Sequence, residues 1–306
     1  MIAYVLWRLV RIIPTVLVVV TLIFALFRMV PGDPARLIAG ATATQESVER
    51  VRTQLGLDRP LLVQYGTYIA GLARGQLGYS GIYRSDVGPV IMRALPPTLT
   101  LLASAILVTI AIGIPAGVLA AIYRGSAVDH TLSVFVASML AIPNFWLGLM
   151  LISLFSVTLN WLPSFGYGDA RALVMPTIAV AARLIAIVAR MARSSMLEVL
   201  QRDYVRTARA KGASMATVTI KHALRNALIP TVTTIGLQAG YLLGGSVVIE
   251  QVFAWPGLGQ LLITSVGVRD FNMIQSITVV FAAGFLVINL LVDILYVAIN
   301  PRIEVA

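Results

Sequence analysis

Apolar residues fall along this chain in long blocks divided by polar stretches, a pattern of membrane crossings and not of a soluble core. The first block, 9–30, is about 22 residues long, enough to cross a hydrocarbon core of roughly 30 Å at about 1.5 Å per residue. Arg11 and Arg28 stand near its ends, where guanidinium groups snorkel toward headgroups. PGDP follows where a small-residue cleavage site would be expected, so the block reads as a retained first span. Further spans are predicted at about 99–123, 132–159, 172–191, 228–249 and 277–299, the last ended by Pro301. Gly113, Pro115 and Gly117 fall in the second and Pro143 and Asn144 in the third, with kinks expected at both prolines. The predicted fold class is an all-α polytopic membrane protein with six transmembrane helices.

The polar stretches differ in kind. Residues 31–97 hold seven basic and five acidic residues and no apolar run long enough to cross, so they form an extramembrane insert between the first two spans. Within it, SVERVRTQLGLDRPLLVQYGTYIAGLARG predicts two short helices separated by a turn from Gly56 to Pro60. Leu61, Tyr65, Tyr68, Ile69 and Leu72 make one stripe of the second helix, a stripe that suits packing on the membrane domain. NWLPSFGYGDAR is a loop with an interfacial tryptophan, and EQVFAWPGLGQLLITSVGVRDFNM a second loop on the insert's side. Residues 98–306 are a five-span core interrupted by a basic loop at 194–228.

That loop contains DYVRTARAKGASMATVTIKHALRNALIP, which predicts two short helices meeting near Gly212. The first carries Tyr204, Arg206, Thr207, Ala208 and Lys211; Ser214 caps the second. On the second, Ala216, Ile220, Ala223, Leu224 and Ala227 recur at helical spacing, with Lys221 and Arg225 on another face. The pattern reads as an amphipathic surface element and not a span.

Composition and charge narrow the chemistry. At 306 residues, 58% hydrophobic, 12% charged and mean hydropathy +0.90, the chain is too apolar for a soluble domain of its size. The formal net charge of +10 serves orientation and anionic headgroups here rather than nucleic acid. With a cytoplasmic amino terminus, twelve basic residues fall on the inner side: Arg8, Arg11, Arg124, Arg190, Arg193, Arg202, Arg206, Arg209, Lys211, Lys221, Arg225 and Arg302. The short outer loops hold only Arg171 and Arg269, so both termini and the basic loop are expected in the cytoplasm. Zero cysteines removes disulfides, thiolate metal sites and thiol catalysis. His130 and His222 stand in no metal-ligand spacing, and no glycine-rich loop precedes a lysine and a hydroxyl residue, so no metal, ATP or other cofactor is expected in this chain.

The fifth span carries Gly236, Gly240 and Gly244 at intervals of four, a ladder for close helix approach. Thr231, Thr234 and Gln238 lie on the opposite face, either lining an aqueous path or joining neighbouring helices. Arg183 and Asp293 are the ionisable residues deepest in the predicted spans. They are expected either to pair with each other or to leave Arg183 in the cavity, facing a substrate carboxylate.

YVRTARAKG followed by HALRNALIP resembles the EAA coupling loop of membrane subunits of ATP-binding-cassette importers, in the variant of the dipeptide and oligopeptide branch. Arg206, Thr207 and Ala208 occupy the opening triplet, Gly212 the glycine, and His222, Leu224 and Arg225 the closing set; the motif's opening glutamate and closing proline are missing. RLVRIIPT, PGDPARLIAG, LLGGSVVIEQVFAWPGLG and NLLVDILYVAINPRI extend the resemblance over the whole chain. It implies a type I importer permease fold in a bacterial inner membrane, the insert forming an external lid. The implied partners are a second, different permease subunit, two cytoplasmic ATPase subunits that bind ATP and Mg, and an external solute-binding protein. Transport would follow alternating access, with the loop docked in a groove of an ATPase. Dipeptides or oligopeptides are the first expected cargo, with glutathione, nickel chelates and oligosaccharides as alternatives. A stand-alone secondary transporter or channel is the competing class. It would need ion-coupling groups in the membrane and often shows repeated halves, whereas no internal repeat is visible.

Overall fold

A computed structural model describes residues 2–29, 33–40 and 42–299, and their side chains except at 2–11, 34, 37, 293 and 295–299. Helix α1, Ile2–Met29, is the first span. The insert then forms α2, Pro34–Ala39, α3, Gln45–Gln54, and α4, Leu61–Ala73. Asp33 caps α2 by accepting from the Ala35 amide at 3.0 Å, and its other oxygen accepts from Arg52 of α3 at 2.7 Å. Tyr65 and Tyr68 of α4 meet Phe24 of α1 at ring-centroid distances of 5.4 and 5.6 Å, which lays the expected aromatic stripe on the first span. Leu61, at the start of that stripe, stays exposed. A short antiparallel pair, β1 at Tyr79–Ser80 and β2 at Ser85–Asp86, was not legible in the sequence.

Helix α5, Val87–Ile122, begins three turns before the span expected at residue 99. Its 36 residues reach about 54 Å at 1.5 Å per residue, so it projects well beyond a hydrocarbon core of about 30 Å. It runs through Pro115 without a break. Pro143 does break its span: α6, Ala127–Ala141, and α7, Asn144–Leu151, meet at 103°. A π-helical stretch, Ile152–Thr158, prolongs α7.

Helix α8, Ala170–Val199, is the core of the molecule, contacted by α5, α6, α7 and α11, the last spanning Arg225–Val252. It is capped by Asp169, which accepts from the Arg171 amide at 2.9 Å; this bond and the Arg171 guanidinium hold the carboxyl below its ordinary range. Small residues let neighbours approach α8: a Cβ at Gly117 of α5 would run into the Ala189 carbonyl and Ala192. The second loop on the insert's side is largely helical, with α12 at Leu258–Gly267, and the last span is α13, Phe271–Ile299. On α11 the glycine ladder works at two rungs, Gly236 against Val292 and Gly240 against Phe285 of α13, while Gly244 faces nothing within 4 Å. Among the described residues five helices are long and apolar enough to cross a membrane, six if the bent α6–α7 pair counts as one span.

Candidate functional site

The basic loop leaves α8 as a turn into α9, Asp203–Ala210. This helix is amphipathic: Val205 is fully buried, while Tyr204, Arg206, Thr207 and Arg209 are exposed. It ends in a Schellman closure, the Gly212 amide donating to Arg209 O at 2.9 Å and the Ala213 amide to Ala208 O at 3.2 Å. Gly212 sits at φ +82°, where a Cβ is disfavoured, so the sequence ends the helix with the residue its geometry needs. Ser214 then caps α10, Met215–Thr217, by accepting from the Thr217 amide at 3.3 Å. The Asn226 amide donates to the Tyr204 hydroxyl at 2.8 Å and braces the two limbs.

The second limb is not the separate surface helix expected. It passes through a π-helical stretch, Val218–Leu224, directly into α11, forming one helix from Met215 to Val252. The wider turn changes which residues face inward. Val218, Thr219, Ala223 and Ala227 are buried, whereas Ala216 and Ile220, placed by strict periodicity on the buried stripe, are exposed, Ile220 at 67%. Ala223 and Ala227 pack with Ala121 of α5 and Met196 of α8, tying the loop to the ends of two spans. Lys211, Lys221 and Arg225 are exposed around this apolar tip, and His222 and Leu224 are half-buried.

Beside the loop, α5, α6 and α8 enclose a groove of about 960 Å³. Three arginines of α8 reach it. Arg193 is consumed by a fork with Asp129 of α6, at 2.7 and 2.8 Å, and Asp129 also accepts from the Gly125 amide at 3.0 Å. Arg183 and Arg190 are exposed to the groove, and no carboxylate among the described residues lies within 4 Å of either. They stand seven residues apart, two turns on one stripe of the helix. The expected partner Asp293 has its side chain outside the described residues, as do Arg8, Arg11 and Arg302 of the charge count.

The polar residues of α11 lie elsewhere. Thr231 is fully buried with its hydroxyl donated to Ala227 O, Thr234 donates to Pro230 O, and Gln238 is half-buried; none lines the Arg183 groove. The four residues grouped by sequence as one path therefore occupy two regions.

One buried acid escaped the sequence reading, which left Glu250 in a loop. It is fully buried at the end of α11. Its Oε1 accepts from the Thr98 hydroxyl at 2.8 Å and its Oε2 from the Gly259 and Gln260 amides at 2.7 and 3.2 Å, so it seats the N-terminus of α12. Gly257 and Gly259 let that backbone approach, since a Cβ at either would overlap the carboxyl. Trp255, also buried, donates its indole N–H to Pro97 O at 2.9 Å. An acid beside the Pro-Gly-Leu-Gly run was the available signal.

Against this geometry, the family described as "Binding-protein-dependent transport system inner membrane component" matches residues 113–305, and the N-terminal unit described as "Binding-prot-dependent transport system membrane comp, N-term" matches 1–102. The glutathione transport system permease protein GsiC of Escherichia coli (strain K12) is 46% identical over 304 residues, covering 99% of both chains. Its counterpart from Shigella boydii serotype 4 (strain Sb227) is 45% identical with the same coverage. Among solved structures, an inward-facing form of the MetNI methionine ABC transporter aligns with TM-score 0.60 at 24% identity, over 69% of this chain and 96% of that one. An amino acid ABC transporter with histidines aligns with TM-score 0.51 at 20% identity, over 70% and 94%. These two likenesses concern the fold alone.

Proposed function

The chain belongs to the binding-protein-dependent transport system inner membrane components and is a permease subunit of an ABC importer; from that premise we propose that it carries short, carboxylate-bearing peptides, glutathione among them, across a bacterial inner membrane. The chain works beside a second permease subunit. Two ATPase subunits hold ATP and Mg, and an external binding protein delivers the cargo. Both termini face the cytoplasm. The α9–α10 loop supplies the docking surface for an ATPase: Met215 and Ile220 offer an exposed apolar tip ringed by Arg206, Arg209, Lys211, Lys221 and Arg225. Thr207, Ala208 and Gly212 shape its turn, and Tyr204, His222 and Leu224 brace it.

The observation that carries the cargo assignment is the exposed Arg183–Arg190 stripe in the 960 Å³ groove. A guanidinium at membrane depth is costly unless it faces an aqueous cavity or a partner group, and its planar fork suits a carboxylate. Alternating access would open this groove toward the coupling side and release the cargo past Arg190. Thr234 and Gln238 of α11 belong to a separate stretch of the path, toward the partner permease. The test is uptake into proteoliposomes holding the complete importer. Arg183→Gln should lower uptake of glutathione and of free-acid dipeptides by about tenfold or more, the worth of a charge-assisted pair at roughly 1.5–3 kcal/mol, and should spare C-terminally amidated dipeptides. An equal loss for acid and amide would refute the assignment.

A further inference from the structure

A second cavity, of about 360 Å³, lies at the opposite end of the bundle from the coupling loop, between α1, the insert and α13. Its walls are separately anchored. Phe24 of α1 stacks on Tyr68 of α4, Phe27 meets Phe271 of α13 edge-on at 6.2 Å, and β1 with the segment before it is pinned to α13 by Asn272 donating to Tyr79 O at 2.8 Å and Ser276 donating to Leu77 O at 2.6 Å. The space is therefore a built pocket and not a gap between loosely placed loops.

Its chemistry is one-sided. Arg28 and Arg59 both line it, no aspartate or glutamate does, and neither arginine has a carboxylate within 4 Å among the described residues. Arg28 lies in the last turn of α1 with its guanidinium carbon 4.9 Å from the Phe24 ring centre, so its stem and face are held while its donors remain available. Gln54, Gln76 and Gln275 add amide donors. The Tyr68 hydroxyl is buried without a hydrogen-bond partner, Gln275 coming near without completing one. Two guanidiniums, spare amides and an unpartnered phenol call for an anion with several acceptor oxygens.

Depth selects the source of that anion. Arg28 closes an apolar helix whose Leu22 and Leu26 are exposed at 57 and 60%, so the pocket mouth stands where the first span leaves the hydrocarbon and meets headgroups. We propose that this pocket binds the phosphate-bearing headgroup of an anionic phospholipid, with Arg28 and Arg59 on the phosphate and the acyl chains along the apolar face of α1, so that the lipid fastens the insert to the first span. The inference rests on the membrane-spanning reading of α1 and α13, and not on the cargo.

The test is native mass spectrometry of the full chain, purified with its partner subunits in detergent, against dioleoylphosphatidylglycerol and dioleoylphosphatidylcholine. The wild type should retain phosphatidylglycerol in preference. Arg28→Gln and Arg59→Gln should each weaken that retention about fivefold, the fold-change of about 1 kcal/mol per cation at a membrane surface. The double Arg→Lys variant, which keeps both charges, should retain most of it and shows that loss in the Gln variants is not misfolding. Equal retention of the two lipids, or no change in Arg28→Gln/Arg59→Gln, would overturn the proposal. Displacement of phosphatidylglycerol by inorganic phosphate at matched concentration would assign the pocket to a free anion and overturn the lipid source. Uptake plays no part in this readout, so the cargo assignment and the lipid site fail independently.

Discussion

Gly212 shows how much of the basic loop's turn hangs on one backbone angle. At φ +82° with nothing within 4 Å of a notional Cβ, its requirement is conformational and not steric. A β-branched residue there costs roughly 1–2 kcal/mol of left-handed strain and would open the Schellman closure between α9 and α10. Gly212→Val should therefore reach the membrane at wild-type level and leave ATP hydrolysis running while uptake falls; Gly212→Asn, which tolerates the same angle, should retain uptake. Normal transport by the valine variant, measured beside hydrolysis in the same vesicles, would show that the turn does not transmit the stroke. The Arg193–Asp129 fork is a different kind of residue effect, because Asp129 is buried and accepts four hydrogen bonds from Arg193, Gly125 and Ser133. Arg193→Ala leaves that carboxylate without its cation. Its cost should lie toward the lower end of roughly 3–5 kcal/mol, since Arg193 is itself about a third exposed. Thermal unfolding in detergent should show the loss, and adding Asp129→Ala should recover part of it.

Elements were legible where one helical period ran without interruption. The spans at α1, α8, α11 and α13 followed from apolar length alone, and the α9 turn followed from its glycine. One feature changed the period and was missed. The π-helical stretch at Val218–Leu224 rotated Ile220 outward and fused the second limb of the basic loop to α11; α5, for its part, starts at Val87 and runs through Pro96 and Pro97, ahead of the span that apolar length predicts from residue 99. Pro143 did break its span, because the chain also changes direction there by 103°. Glu250 was hidden for another reason: its partners, Thr98, Gly259 and Gln260, are brought to it by tertiary contact and not by spacing. Glu250→Leu would leave two amides and a hydroxyl buried without acceptors, at about 1–3 kcal/mol for each group. It should release α12, seen as faster proteolysis within 254–270, while Glu250→Gln keeps an acceptor and should suffer less. The two working rungs of the glycine ladder make a second expectation at this scale. Cysteines at Thr234 and Gln238 should react with a water-soluble maleimide in some transport state, whereas Gly236→Cys and Gly240→Cys should fail to assemble or stay unlabelled against Val292 and Phe285. Equal labelling of both faces would remove α11 from the path.

At the scale of the whole molecule, the structure has two chemically distinct ends, and they explain why charge counting can orient it. At one end lie Arg124, the Arg193–Asp129 fork and the α9–α10 loop, tied together through Ala121, Met196 and Ala223. At the other, Trp255 holds Pro97, Asn272 holds β1, and the Ser80 hydroxyl donates to Asp270, so the insert, the start of α5 and α12 form one cap. Described basic residues outside the insert crowd the first end, and by the rule that short loops rich in arginine and lysine stay in the cytoplasm that end is expected inside. The absence of native cysteine makes the placement measurable without background. Ile220→Cys sits on the exposed tip of the basic loop and Glu46→Cys on an exposed turn of α3, with the native glutamate 83% exposed. A membrane-impermeant maleimide should label Glu46→Cys but not Ile220→Cys in intact spheroplasts, and the pattern should reverse in inside-out vesicles. Bound ATPase subunits should then protect Ile220→Cys from labelling in those vesicles while leaving an inward-facing Arg190→Cys reactive, because the first lies on the docking tip and the second in the groove behind it. Labelling of Ile220→Cys from outside would invert the topology, and with it remove any ATPase from reach of the loop.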